Sequence, residues 1–225
     1  MMRQHLQRLE LLRGMQHCDP EVEREVLRVK RWQHQRLANT YADLAVDSRY
    51  AKATAFFLKE LYGDGESATH VHNRDRDLLR MVPSMQRLLP KYAFDTVSRA
   101  LELDVLAEEL DRAMAEHLQG RDITPQNYAD AFRAVGRKAE RLRQVALMQE
   151  VGEGLDRVVK KPFIFTSLKM LRGPSKLAGL ADMQQFLESG FDAFRHMKGA
   201  AFFLSTIASR EAALIEALFA GKNSL

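Results

Sequence analysis

Two cap-and-proline dipeptides, Asp19-Pro20 and Thr124-Pro125, most constrain what this chain can fold into. A side-chain oxygen just before a helix accepts from its first unpaired backbone N–H groups. Proline fits the first helical position because it has no N–H to leave unsatisfied. Each pair therefore starts a helix, and the sequence then offers few stops. Among 225 residues there are 12 glycines and 6 prolines. Ala, Leu, Arg, Glu and Gln predominate, and these lose little rotamer freedom in a helix. No run alternates β-branched and polar residues as a strand would. The expected fold is all-α, a multi-helix orthogonal or bundled domain of about eight or nine helices.

The pattern predicts a first helix from Arg3 to Met15, with Leu6, Leu9 and Leu12 on one face. A second runs from Pro20 to about Ala45, burying Val22, Val26, Val29, Leu37, Tyr41 and Leu44. Asp47-Ser48 opens a third, which ends at Tyr62 with Gly63 as its stop. Residues 63–73 read as loop, and helical pattern from Arg74 to about Leu118 is punctuated by Pro83 and Pro90. After a break at 120–124, one helix is expected from Pro125 to about Val151, with Gly152, Gly154 and Pro162 marking a weak region. The last helices span about 162–171, 177–194 and 196–219. The chain reads as a single domain over 1–225, with a split near Gly120 as the alternative.

Charge is concentrated. The chain has 34 Lys and Arg against 30 Asp and Glu, a formal net charge of +4. Arg157, Lys160, Lys161, Lys169, Arg172 and Lys176 lie in a stretch with no acid, and the rest of the chain is slightly acidic. Ile164, Leu168 and Leu171 fall on one face of a helix there, and Lys169, Arg172 and Lys176 on another. A basic amphipathic helix suits an anionic membrane surface, an acidic protein or phosphates. Nucleic acid is disfavoured as the partner, because the single Trp is remote and no recognised binding module occurs. Arg133, Arg137, Lys138, Arg141 and Arg143 are a second basic set that extends the patch if the helices adjoin.

Function classes narrow in the same way. With 46% hydrophobic residues the chain is not disordered. The single cysteine, Cys18, excludes an internal disulfide and an all-Cys zinc site. The most apolar run, Gly199 to Ala208, is half the ~20 residues of a membrane-spanning helix, and the first residues lack a signal-peptide core. These features predict a cytoplasmic protein with no transmembrane segment. His70-x-His72 with Asp75 and Asp77 is the best metal-ligand set, but its spacing matches no established site and reads equally as loop and helix cap. No metal, cofactor or catalytic residue is assigned, and whether the chain is an enzyme stays open.

Residues Arg49-x-x-Lys52-x-x-Ala55-Phe56-Phe57-Leu58 recur as Arg195-x-x-Lys198-x-x-Ala201-Phe202-Phe203-Leu204. Either a helix pair is duplicated around a shared pocket, or two core helices converged on the same anchors. A pocket between them would gather Arg49, Tyr62, Arg195 and His196, the candidate binding residues. The run Ala55-Phe56-Phe57-Leu58-Lys59-Glu60-Leu61-Tyr62-Gly63 resembles the signature of the FFLEELY-motif family of bacterial proteins. Val82-Pro83, the run from Arg87 to Pro90, and Gly190-Phe191-Asp192-Ala193-Phe194-Arg195 fit that family as well. Lys59 stands where the family's name has glutamate. The resemblance implies a bacterial cytoplasmic helical protein and brings no chemistry. The functional expectation is a non-catalytic binding or adaptor protein. The alternatives are a helical enzyme or cofactor binder using that pocket, and a peripheral membrane or anionic-partner binder using residues 157–176.

Overall fold

A computed structural model describes residues 2–62, 90–170, 172–177 and 179–223. All regular elements among the described residues are helices. Helix α1 (Met2–His17) buries Leu6, Leu9 and Leu12, as their spacing requires. Helix α2 (Pro20–Thr40) begins where the Asp19 carboxylate accepts from Glu21 N at 3.0 Å and Val22 N at 3.3 Å. It stops short of Ala45 because Tyr41 leaves helical geometry at φ −110°, ψ 21°. The Tyr41 ring is 1% exposed in the core, and its hydroxyl donates to Glu211 at 2.7 Å. A short α3 (Ala42–Val46) follows.

Asp47 folds the next residues into a turn, accepting from Arg49 N at 2.7 Å through its side chain and from Ala51 N at 2.8 Å through its carbonyl. Helix α4 (Ala51–Phe56) therefore begins later than Asp47-Ser48 suggests, and it continues into a π-helical turn (Phe57–Tyr62). The expected stop at Gly63, the 63–73 loop, Pro83, and the His70, His72, Asp75 and Asp77 set lie outside the described residues.

Helix α5 (Lys91–Leu118) is the central element and packs against α1, α2, α6 and α7. Helix α6 (Pro125–Val135) opens with a full capping box between Thr124 and Asn127. The expected continuous helix from Pro125 is broken at Gly136 and Arg137, whose φ values of 68° and 58° are left-handed. Helix α7 (Lys138–Val159) starts there. Then come α8 (Pro162–Met170), α9 (Arg172–Leu177), α10 (Ala181–His196) and α11 (Ala201–Phe219).

Gly152 and Gly154 mark no weak region. Both are buried inside the unbroken α7, where neighbouring helices come closest. A Cβ on Gly152 would lie 2.2 Å from a Leu204 methyl of α11. One on Gly154 would lie 2.2 Å from Thr96 Oγ1 and 3.0 Å from Thr96 Cβ of α5. The glycines read as helix breakers because their intrinsic cost, about 1 kcal/mol against alanine, is local, whereas the packing that requires them is tertiary.

The described residues form three apolar clusters. One gathers Leu37, Tyr41, Tyr50, Phe57, Phe194, Met197, Phe203 and Ile207. A second joins Val26, Val29 and Met114 to Tyr128, Phe132, Ile215 and Leu218, so it draws on helices from both sides of Gly120. The third holds Met2, Leu6, Leu9 and Leu101.

Gly154→Ala is expected to destabilise the protein by about 1–3 kcal/mol through overpacking, although alanine is the better helix former. Urea unfolding measures it, and an unchanged or raised midpoint would show that α5 and α7 do not pack this closely.

Candidate functional site

The repeated Phe-Phe-Leu motifs converge on one core. Phe57 and Phe203 are both buried in the cluster around Tyr50, whose ring centroid lies 6.0 Å from that of Phe203 and 5.5 Å from that of Phe202. Aromatic side chains thus fill the space where a shared pocket would lie. The match is not carried into equivalent roles. Phe56 is buried and packs against Gly190 and Phe186 of α10, whereas Phe202 is 59% exposed. Two helices have used the same anchors.

Of the four candidate binding residues, Arg49 and His196 meet at one junction. Arg49 Nε donates to Met197 O at 2.7 Å and Nη2 to Gly199 O at 3.3 Å. His196 Nε2 donates to Ser48 O at 3.0 Å. These reciprocal bonds pin the α3–α4 turn to the α10–α11 turn, where Lys198 and Gly199 both have positive φ. Arg195 points elsewhere: its guanidinium carbon sits 4.8 Å from the centroid of the Phe165 ring on α8. Tyr62 ends the π-helical turn, and its side chain lies outside the described residues. All three described side chains are exposed.

The basic stretch is on the surface. Arg157, Lys160, Lys161, Lys169, Arg172 and Lys176 are all exposed. Two of them have acid partners: Lys160 donates to Asp156 at 2.6 Å, and Arg172 clamps Glu188 through two bonds of 2.6 and 2.5 Å. Helical geometry over 162–170 and 172–177 carries Lys169, Arg172 and Lys176, and Leu171 lies outside the described residues. Helix α8 rests on α10, with Phe165 stacked on Phe191 at 5.0 Å and the Leu168 carbonyl accepting from Gln184 at 2.6 Å. Ile164 and Leu168 are half-buried on that side. The outward side carries Phe163, 56% exposed, and Met170, 74% exposed, seven residues apart and so on one face. The second basic set does not extend this patch. Arg133 pairs with Asp130, Arg137 with Glu140, Lys138 with Glu216, and Arg143 with Glu102 and Glu150, while Arg141 is buried.

Sequence reasoning missed a polar cluster inside the bundle. Glu108 of α5, 2% exposed, accepts from Lys30 Nζ of α2 at 2.6 Å, from Arg13 of α1 at 3.0 and 3.1 Å, and from Gln16 at 3.4 Å. Burial alone would raise its pKa, but the Lys30 and Arg13 charges outweigh that and bring it to about 2. One turn along α5, burial pushes the Asp111 carboxyl up to about 6 against the pull of Lys30. Gln33 donates to the Tyr128 hydroxyl at 3.2 Å, and Tyr128 stacks on Trp32 with centroids 4.0 Å apart. Arg141, 4% exposed, lies 3.7 Å from the Phe132 centroid, and its Nε and Nη2 have no hydrogen-bond partner among the described residues. Burial lowers its pKa. The signal was present in spacing: Leu101, Glu108 and Ala115 recur at seven residues, which puts an acid on the apolar stripe of α5.

This cluster binds helices together, and Glu108, Asp111 and Arg141 line neither of two open clefts. The open cleft of about 750 Å3 between α1, α2 and α5 is lined by Leu11, Met15, Val22 and Arg112 among others, and a smaller one of about 310 Å3 by Arg28, Arg31, Trp32 and Ile123. No group of three or more potential metal ligands occurs among the described residues, and no described helix is long and apolar enough to cross a membrane.

An acid whose folded pKa is raised contributes stability that is present below its unfolded pKa of about 3.8 and lost as pH rises through about 6. For Asp111 that amounts to about 3 kcal/mol. Asp111→Asn should therefore gain stability over wild type at pH 7.5 and lose about two thirds of that advantage by pH 4.5. Urea midpoints of both proteins at the two pH values measure this, and a pH-independent difference would contradict a buried, titrating Asp111.

Residues 12–225 match the model of the family described as a domain of unknown function, DUF8198, and the chain belongs to that family. No curated protein and no solved structure matches it.

Proposed function

We propose that this DUF8198 protein is a non-catalytic binding protein whose working surface is the face built by residues 157–176, and that this face meets an anionic membrane. The observation that carries the reading is the coincidence of exposed cations with exposed apolar side chains. Six exposed basic residues, in a stretch of sequence with no acid, accompany Phe163 and Met170, which are themselves exposed. A helix with an outward apolar strip and flanking lysines lies in the headgroup boundary, gaining from apolar burial and from attraction to anionic lipid together.

Electrostatics favours a membrane over nucleic acid. The second basic set is matched by acids or buried, so the cationic surface is a compact patch and not a track along a duplex. Trp32, the one Trp, is stacked on Tyr128. The reading places the protein in the cytoplasm, where inner leaflets are anionic and where an exposed, unpaired Cys18 suits a reducing environment. The resemblance of residues 55–63 to the FFLEELY-motif proteins supports a bacterial source.

Co-sedimentation with phosphatidylcholine vesicles containing phosphatidylglycerol tests the proposal. Wild type is expected to bind at low salt and to be released at high salt. Lys161→Ala/Lys176→Ala removes two charges worth ~1 kcal/mol each and should weaken binding roughly 30-fold. Equal binding by wild type and variant, or none by wild type, would contradict the reading.

A further inference from the structure

We infer that Lys169 and Arg195 form a seat for a lipid headgroup that ends in a phosphate monoester, built around the Phe165 ring. This rests on the proposed membrane-facing role of α8 and α9, and deepens it by naming the lipid. Lys169 Nζ lies 4.3 Å and the Arg195 guanidinium carbon 4.8 Å from the same ring centroid, so the two charges are at most about 9 Å apart. They come from different helices, α8 and α10, and Phe191 stacks on the ring between those helices at 5.0 Å. The ring is thereby held in place, and with it the spacing of the two cations.

Neither cation has an ion-pair partner among the described residues. The carboxylate that acts on Lys169, Glu188, is engaged by both arms of Arg172 and by Gln184 at 2.8 Å. Asp192, one turn before Arg195 on α10, pairs with Lys52 at 3.1 Å. The fold has thus set two like charges against one ring, within about 9 Å of each other, and engaged Glu188 and Asp192 with other cations. Their mutual repulsion is relieved by an anion that touches both.

The chemistry of that anion follows from the pair. A guanidinium offers parallel N–H groups that fit two oxygens of one phosphate, and an ammonium adds a point charge at a third. A terminal monoester carries up to two negative charges near neutral pH and so matches two cations, whereas a diester headgroup carries one. Phe163 and Met170 decide the source. A soluble phosphate would leave both exposed, while a headgroup at the seat brings them to the acyl boundary.

The test compares vesicles of phosphatidylcholine containing phosphatidic acid with vesicles containing phosphatidylglycerol at the same surface charge. Wild type should bind the phosphatidic acid vesicles about ten-fold more tightly although the surface charge is matched. Arg195→Gln should abolish that preference, while lowering phosphatidylglycerol binding by no more than about five-fold, the effect of one charge. Lys169→Gln should do the same. Arg195→Lys should keep the charge and recover only part of the preference. Thermal unfolding of each variant, expected to match wild type, separates loss of the seat from loss of the fold. A preference that survives Arg195→Gln, or equal wild-type binding to both lipids, would overturn the seat and leave the membrane reading intact. Failure of wild type to bind either vesicle would overturn both. Tight binding of glycerol 3-phosphate or of a phosphopeptide without vesicle binding would overturn the lipid assignment.

Discussion

A carboxylate sealed in a helical interior has to be neutralised where it sits, and Glu108 is neutralised by two cations from two other helices. Arg13 comes from α1 and Lys30 from α2, so their bonds to Glu108 on α5 fix how these three helices stand against one another. An ion pair of this kind adds little over well-packed apolar residues, but removing one partner costs about 3–5 kcal/mol because the other is left buried and charged. Alternative registers of α1 or α2 carry that penalty. On the other side of α5, contact with α7 depends on Gly154, where any side chain would meet Thr96. The central helix is thus located by charge on one face and by the absence of a side chain on the other.

That arrangement also explains where positive charge is left over. Acids on α2, α5, α7 and α11 pair with the basic residues of the bundle: Glu211 with Arg36, Glu109 with Arg8, and Glu102 with Arg143. Residues 157–176 supply cations without acids, and among the described residues Asp156 and Glu188 are the acids that pair with them. The bundle has nearly balanced its own charge, so the unbalanced face of α8 and α9 is where an external anion has most to gain.

Elements governed by local chemistry were legible in the sequence. Asp19-Pro20 and Thr124-Pro125 start helices because capping involves only neighbouring residues, and Leu6, Leu9 and Leu12 are buried because their spacing makes one stripe. Features set by distant partners were not. Gly152 and Gly154 looked like breaks because the demand for them comes from Leu204 and Thr96. Tyr41, where α2 ends, is held by Glu211, some 170 residues away in the chain. At the candidate site, the basic character of 157–176 could be read directly. The outward direction of Phe163 and Met170 could not, since it depends on which side of α8 is taken by Phe191 and Gln184 of α10. The repeated motif groups Arg195 with Arg49, yet the ring that Arg195 lies against, Phe165, is outside the repeat.

Hydrogen–deuterium exchange of the full chain with and without anionic vesicles tests most directly whether the face of α8 and α9 is where this protein meets its partner. Protection gained on adding vesicles should be confined to residues 157–177 and the end of α10 around Arg195, with α5 and its Glu108 partners unchanged. Protection centred instead on the cleft between α1 and α2, or spread evenly over the bundle, would contradict the account.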